Sequence, residues 1–314
     1  MATKRKRRHE GQARGRKPAR GQRPAARRPT DRWLLLLVGA GVAVVGVIAV
    51  VAFGPDREGE GQSVAWATLN TADVHALAFA PDDPQHVYFG HHDGLLESRD
   101  GGRTWQPASL SGSDAMNVKT ASGGRIQIAG HDVYLESTDG GATWQPVLPN
   151  DLPGLDLHAF ALDPADPDRA WTFAVGFGLF ETMDAGRHWE LRQPDNWGYL
   201  TTYRDGDRTV LVAVGPEGLV RSHDAGVSWE PLTYPGAPLA GGIAAATDGT
   251  ALYAATSAGL RRSTDQGQTW SETGFVGVAL ALAIAPDDPM DVVLVDEATR
   301  LYRSPDGGAT WPAP

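Results

Sequence analysis

The residues of this chain that could do chemistry are histidines that recur beside aspartate and methionine. Five of its nine histidines lie in short segments of two kinds. Three segments share an Asp-x-His or Asp-x-Met pattern: Asp73-Val-His75, Asp114-Ala-Met116 and Asp156-Leu-His158. Two others end in histidine: Gly90-His91-His92 and Ala129-Gly130-His131. Imidazole, thioether and carboxylate together bind transition metals, and histidine with methionine favours copper. The pattern therefore predicts a site for copper or another transition metal, with candidate ligands His75, His91, His92, Met116, His131 and His158.

The aspartates of these segments allow two other interpretations. A glycosidase needs two carboxylates about 5–9.5 Å apart, and Asp73, Asp114 and Asp156 are the candidates for such a pair. Alternatively, these aspartates order the loops that carry them, while histidines at strand ends cap backbone groups or line a wet channel.

A repeat indicates how these segments are positioned. One unit of the form S-x-D-x-G-x-T-W occurs six times between residues 98 and 311. Successive aspartates of the unit are 39, 45, 40, 41 and 41 residues apart, a period typical of propeller blades. These structural aspartates are Asp100, Asp139, Asp184, Asp224, Asp265 and Asp306.

Each repeat predicts a four-stranded blade with strands A to D. In the first repeat the strand segments are VHALAFAP (74–81), HVYFG (86–90), LLES (95–98) and TWQPA (104–108). The repeated octapeptide forms the C–D hairpin: its aspartate accepts hydrogen bonds from the turn, its glycine supplies an unusual backbone conformation, and its tryptophan packs between blades. We predict an all-β, six-bladed β-propeller in which AWATL (65–69) completes the last blade and closes the ring.

This octapeptide resembles the Asp-box (BNR) motif of sialidases, sortilin-type receptor domains and the photosystem II stability factor family, over residues 66–314. The resemblance implies a propeller whose box aspartates are structural. Segments of blades 1 to 3 also resemble a bacterial family of anchored Asp-box propellers labelled glycosyl hydrolase. These segments are Val74-His75-Ala76-Leu77, His92-Asp93-Gly94-Leu95, Ala129-Gly130-His131 and Asp156-Leu157-His158-Ala159.

Several enzyme classes are disfavoured. A sialidase needs three arginines around its substrate carboxylate, but no arginine begins an A strand and the F/Y-R-I-P motif is missing. The sequence contains no P-loop, dinucleotide fingerprint, zincin helix or G-x-S-x-G elbow. It has no cysteine, which excludes disulfides, thiolate metal sites and a cysteine nucleophile.

Charge and hydropathy divide the chain into four parts. Residues 1–32 carry 13 Lys/Arg against two acidic residues, whereas the rest of the chain has 15 basic and 36 acidic residues. Residues 33–53 are 21 uncharged, mostly apolar residues, long enough to cross a membrane. We therefore predict a basic cytoplasmic tail (1–32), a transmembrane signal anchor (33–53), a linker (54–64) and an extracytoplasmic propeller (65–314).

The alternative for the apolar segment is a cleaved signal peptide. The basic RKRR run at 5–8 also allows nucleic-acid binding, but it lacks interleaved aromatics and lies before the apolar segment, so we expect no nucleic acid. The leading functional hypothesis is a binding or assembly module at the cell membrane that holds a protein segment, a metal or a small ligand at the channel face. The alternative is a glycoside hydrolase that uses the channel-face aspartates.

Overall fold

The computed structural model describes residues 63–195 and 197–314. The predicted cytoplasmic tail, the signal anchor and residues 54–62 of the linker lie outside these described residues. Within the described ranges, no helix has the length and apolar character required to span a bilayer.

The described residues form 24 strands arranged in six four-stranded antiparallel sheets. The first strand along the chain is β1 (Ala67–Thr68). Blade 1 consists of β2 (Ala76–Ala80), β3 (Asp83–His91), β4 (Gly94–Ser98) and β5 (Gln106–Ser111). Blade 2 consists of β6 (Asn117–Ala121), β7 (Arg125–Gly130), β8 (Val133–Ser137) and β9 (Gln145–Pro146). Blade 3 consists of β10 (Leu157–Leu162), β11 (Ala170–Ala174), β12 (Gly178–Thr182) and β13 (Glu190–Gln193).

The second half of the ring repeats this order. Blade 4 consists of β14 (Gly198–Asp205), β15 (Arg208–Gly215), β16 (Gly218–Ser222) and β17 (Glu230–Pro231). Blade 5 consists of β18 (Leu239–Ala245), β19 (Leu252–Thr256), β20 (Gly259–Ser263) and β21 (Ser271–Glu272). Blade 6 consists of β22 (Ala279–Ala285), β23 (Asp288–Asp296), β24 (Arg300–Ser304) and β1. The predicted architecture of six four-stranded blades is confirmed.

Burial along the strands follows from their place in the ring. All five residues of β11 and all five of β12 are buried, because neighbouring blades cover both faces of a blade's middle strands. The outermost strands β9, β17 and β21 are two residues long and exposed. Short outer strands leave little unpaired edge on the perimeter of the ring.

The ring closes through the N-terminal strand, as the sequence predicts. Ala67 pairs with Leu301 and Thr68 with Arg300, which makes β1 the outermost strand of blade 6. Trp66 supports this closure: its indole N–H donates to the Pro312 carbonyl over 2.9 Å, and the Arg103 guanidinium from blade 1 lies 4.5 Å above its ring. The first and last parts of the propeller are therefore held in one sheet.

Each Asp-box turn is held by hydrogen bonds to its aspartate. In blade 1, Asp100 Oδ1 accepts from the Ser98 hydroxyl at 2.8 Å and the Thr104 N–H at 2.8 Å, and Oδ2 accepts from the Thr104 hydroxyl at 2.6 Å. In blade 2 the corresponding bonds from the hydroxyl and N–H of Thr143 lower the pKa of Asp139 to about 2. These bonds stabilise the charged carboxylate, which accounts for the repeated aspartate.

The box tryptophans pack between neighbouring blades, as predicted. Trp189 of blade 3 lies in a buried cluster with Tyr134 of blade 2 and Phe160 of its own blade, at ring-centroid distances of 6.3 Å from each. Six such apolar clusters surround the ring, and each contains residues of two adjacent blades. Stability therefore resides mainly at the blade interfaces.

The innermost strands surround a central cavity of about 540 Å³. Among its lining residues Lys119 of β6 is the only Lys or Arg, and it is also the only lysine of the chain after Lys17. Burial in the cavity lowers the pKa of Lys119 to about 8. Lys119 lies five residues after Asp114. The residues five positions after Asp73 in blade 1 and after Asp156 in blade 3 are Ala78 and Ala161.

The box glycines give the first test of the packing. Gly226 has φ +88°, and a Cβ there would lie 2.2 Å from Leu179 Cδ2 of the preceding blade. We expect Gly226→Ala to lower the free energy of unfolding by about 2–4 kcal/mol, from backbone strain plus overpacking. Gly112→Ala is the matched control, because Gly112 has φ +67° and no heavy atom lies within 4 Å. It should cost only about 1 kcal/mol in urea-induced unfolding, and equal losses would contradict the packing account.

Lys119 gives a second test, in the pH dependence of stability. Its folded pKa of about 8 lies below the ordinary unfolded value of about 10.4, so the unfolded chain binds more protons between these values. The penalty of the buried charge is full below pH 8 and disappears as the pH rises to about 10.4. Relative to Lys119→Met, wild-type stability should therefore rise by about 1 kcal/mol per pH unit in this window. Parallel curves for the two proteins would contradict burial of the amine.

Candidate functional site

The candidate residues lie on the face of the propeller formed by the D–A connections and the B–C turns. The segments 69–75, 112–116 and 147–156 precede the A strands of blades 1, 2 and 3. The B–C turns His92-Asp93 and His131-Asp132 occupy the same place in their hairpins, because His91 pairs with Gly94 and Gly130 with Val133. Antiparallel topology places these connections at one end of the sheets, which we call the channel face.

Two glycines let the connection before blade 2 lie against the neighbouring B strands. A Cβ on Gly130 would lie 2.1 Å from the Asp114 carbonyl oxygen, and one on Gly90 would lie 2.3 Å from the Ala115 carbonyl oxygen. Any residue with a Cβ would prevent so close an approach of the backbone. The approach places Asp114 between the histidines of blades 1 and 2.

Asp114 is the centre of the arrangement and its side chain is only 8% exposed. Its Oδ2 accepts a hydrogen bond from His131 Nδ1 over 2.6 Å. Its Oδ1 lies 3.1 Å from His75 Nε2 and 3.6 Å from His92 Nδ1. One buried carboxylate thus contacts three imidazoles.

On one side of Asp114 lie His131, Asp156 and His158, which we call the blade 2–3 cluster. His131 Nε2 is 3.0 Å from His158 Nε2 and 3.4 Å from Asp156 Oδ1, and His158 Nε2 is 2.9 Å from Asp156 Oδ1. Because His131 donates through Nδ1 to Asp114, its Nε2 carries a lone pair when the ring is neutral. The His131 and Asp156 side chains are about half-exposed, so the cluster is open to solvent.

On the other side lie Asp73, His75 and His92, the blade 1 cluster. Their ligand atoms all lie within 4.8 Å of one another. Asp73 Oδ2 is 3.8 Å from His75 Nε2, and Asp73 Oδ1 accepts a hydrogen bond from the backbone N–H of His92 over 3.0 Å. The cluster therefore has one carboxylate oxygen and two imidazole nitrogens directed to the same space.

Three polar atoms in the two clusters and in Asp114 between them are buried without a hydrogen bond of acceptable geometry: His75 Nε2, Asp114 Oδ1 and Asp156 Oδ1. His75 Nε2 and Asp114 Oδ1 lie only 3.1 Å apart, so proximity alone does not satisfy them. Buried polar atoms without partners are costly, and a bound cation would satisfy them together. Imidazole nitrogen with carboxylate oxygen is a donor set that suits divalent transition metals.

One of the predicted ligands, His91, does not join these clusters. The His91 Nδ1 atom accepts the Asp93 N–H over 3.3 Å, its ring stacks against Phe89, and burial lowers its pKa. Met116 is half-buried, with its Cγ 3.3 Å from the position that a Cβ on Gly130 would take. The other four histidines and the three aspartates are brought together.

The sequence analysis did not single out an apolar arc on the same face. Exposed large side chains lie in the connections that precede blades 3, 5 and 6, in the B–C turn of blade 3 and at the start of the A strand of blade 4. We call them the apolar arc: Leu148, Phe177, Tyr199, Tyr234 and Val276. Val276 is 90% and Leu148 76% exposed. A large apolar residue next to proline or glycine, as in Val147-Leu148-Pro149 and Phe275-Val276-Gly277, was the available sequence signal. Exposed large apolar side chains on one face are typical of interaction surfaces.

Comparison with known proteins relates the chain to a family. Residues 60–313 match the family model described as photosynthesis system II assembly factor YCF48. No curated protein matches the chain.

Solved structures share the fold at low identity. YCF48 from Cyanidioschyzon merolae is 21% identical with a TM-score of 0.52, over 79% of this chain and 88% of that one. A structure of YCF48 bound to D1 peptide is 24% identical with a TM-score of 0.50, over 83% and 86%. The GH74 xyloglucanase from Xanthomonas campestris is 17% identical with a TM-score of 0.52, and the match spans 80% of this chain but 54% of the enzyme.

Proposed function

The chain belongs to the family of the photosynthesis system II assembly factor YCF48, and on that premise we propose that its propeller is a metal-dependent binding module for a protein segment. The observation that carries the proposal is the convergence of His131 Nε2, His158 Nε2 and Asp156 Oδ1 to separations of 2.9–3.4 Å. A metal ion with ligands at about 2.0–2.1 Å requires ligand-to-ligand separations of about 2.9–3.4 Å. The side chains thus already have the spacing of three ligands of one ion.

The surroundings support metal binding at the blade 2–3 cluster. Asp114 accepts the Nδ1–H of His131, which holds Nε2 in the tautomer that ligates a metal and increases its basicity. Asp156 Oδ1 is buried without a hydrogen bond and gains a partner when an ion binds. With two nitrogen donors and one oxygen donor, the cluster suits Zn²⁺ or Cu²⁺.

An ion with three protein ligands keeps a coordination position open. The half-exposed His131 and Asp156 side chains allow a ligand to reach that position from solvent. The apolar arc on the same face can bury the apolar side chains of a bound segment. We therefore propose a partner segment that supplies one carboxylate or imidazole to the ion and apolar residues to the arc. The structure of YCF48 bound to D1 peptide gives a precedent for a protein ligand on this fold.

The geometry disfavours the glycoside hydrolase alternative. Asp114 is nearly buried and contacts three imidazoles, and His75 lies between it and Asp73. A glycosidase pair must instead face a sugar across open space, with one carboxylate protonated. The likeness to a GH74 enzyme at 17% identity concerns the fold. A binding role fits the site better than catalysis.

We also propose that the module acts outside the membrane. The support is in the sequence: 13 Lys/Arg precede the uncharged segment 33–53, an order that retains the basic end in the cytoplasm. Reporter fusions at the N-terminus and after residue 314 should show opposite sidedness in cells, and equal sidedness would contradict this orientation.

Metal binding tests the proposal directly. Protein purified without a histidine tag should bind at least one equivalent of Zn²⁺ or Cu²⁺ in equilibrium dialysis and calorimetric titration. His158→Gln should weaken binding at the blade 2–3 cluster by roughly 100-fold or more, because a direct ligand is lost. His223→Gln is the control, because His223 lies in the Asp-box turn of blade 4, 3.4 Å from Glu230. This substitution leaves the blade 2–3 cluster intact.

His223→Gln should bind metal like the wild type. Absence of stoichiometric binding in wild-type protein, or equal losses in His158→Gln and His223→Gln, would contradict the metal site. A partner segment identified by crosslinking should bind the propeller more weakly after the propeller has been dialysed against a chelator. Unchanged affinity would contradict metal dependence.

A further inference from the structure

We propose that the channel face holds two metal ions, the second bound by the blade 1 cluster together with Asp114 Oδ1. This inference rests on the proposed metal-binding function and deepens it. It assigns Asp114 as the group that connects both sites: Oδ1 is a ligand of the second ion, and Oδ2 orients His131, a ligand of the first.

The two clusters contain the same types of ligand. Each cluster combines an Asp-x-His pair at the start of an A strand with a histidine from a two-residue B–C turn. In the blade 1 cluster these are Asp73, His75 and His92. In the blade 2–3 cluster they are Asp156, His158 and His131. The register of the hairpins makes His92 and His131 equivalent within their own blades. His92 belongs to the same blade as Asp73 and His75, whereas His131 belongs to the blade before that of Asp156 and His158, so the two sets share donor types and differ in how the blades combine them.

The distances support a four-ligand site in blade 1. His75 Nε2 and His92 Nδ1 lie 3.1 and 3.6 Å from Asp114 Oδ1, and His75 Nε2 lies 3.8 Å from Asp73 Oδ2. The 3.1 Å separation lies within the range around a bound ion, about 2.9–3.4 Å, and the 3.6 and 3.8 Å separations are a few tenths of an ångström wider. His92 is 66% exposed, so its ring can rotate toward the ion without displacing packed neighbours.

The unsatisfied atoms point to the same place. His75 Nε2 and Asp114 Oδ1 are both buried, face one another and form no acceptable hydrogen bond. The blade 2–3 ion does not satisfy either atom, because Asp114 turns its other oxygen toward His131. An ion between His75 and Asp114 provides the missing partner for both.

Charge balance also favours two ions. Asp73, Asp114 and Asp156 bring three carboxylates to a partly buried region. In the part of the chain that the structure describes, these three carboxylates form ion-pair contacts with imidazoles and with no Lys or Arg. With neutral imidazoles the region has a charge of −3. One divalent ion leaves −1 and two give +1, so each step is favourable to cation binding.

The inference is tested by stoichiometry in tag-free protein titrated with Zn²⁺. Wild-type protein should bind two equivalents in equilibrium dialysis. His75→Gln should bind one equivalent, because the site at the blade 1 cluster is lost. His158→Gln should also bind one equivalent, because the site at the blade 2–3 cluster is lost. The double variant should bind none. Asp114→Asn should weaken both sites at least tenfold, because one loses a ligand and the other the group that orients His131.

Two measurements distinguish the loss of a ligand from misfolding of a variant. Asp73→Asn changes a less buried ligand of the same site and should match His75→Gln, and the far-ultraviolet circular dichroism of each variant should match the wild type. His223→Gln should retain two equivalents. One equivalent in wild-type protein, lost in His158→Gln and kept in His75→Gln, would overturn the second site and leave the first. One equivalent lost in both variants would indicate a single shared site, and no stoichiometric zinc would overturn both proposals.

Discussion

The structure depends on apolar packing between blades. A four-stranded blade has two apolar faces and cannot bury them by itself, so each blade requires a neighbour on both sides. The six buried clusters each contain residues of two blades, and the box tryptophans take part in them. A row of blades would leave two faces exposed at its ends, and only a closed ring avoids this. The pairing of β1 with β24 completes the ring by combining the two ends of the propeller in one sheet.

This rigid packing determines the geometry of the channel face. The side chains of the blade 1 cluster and the blade 2–3 cluster project from turns and strand ends whose positions are set by blade packing. Asp114 reaches its central position because Gly90 and Gly130 let the backbone before blade 2 approach the B strands. Three carboxylates and four imidazoles are thus concentrated in a small region. Such a concentration of unsatisfied polar atoms is costly unless a ligand completes it, which is the physical basis of the binding role.

The channel face combines two chemistries on different blades. Imidazoles and carboxylates occupy blades 1 to 3, whereas the apolar arc extends from the connection before blade 3 to that before blade 6. In the proposed binding role, a partner that engages both halves would gain affinity from coordination and from apolar burial, and the first contribution would depend on the supply of metal ion. The Asp-box repeat is uniform around the ring and builds the scaffold. The departures from repetition, in the A-strand starts and the exposed connections, distinguish one side of the face from the other.

The sequence by itself determined the blade count, the box turns and the closing strand, because these depend on contacts that recur within each repeat. The Asp100 carboxylate, for instance, is satisfied by Ser98 and Thr104, only a few residues away. The sequence also identified the histidine-rich A-strand starts, but it grouped His91 with the rest. Only the tertiary structure decided that His91 stacks on Phe89 while His131 joins His158, and that Asp114 lies between two clusters. The contacts of His131 and Asp114 depend on backbone approach between adjacent blades, which a local pattern does not encode.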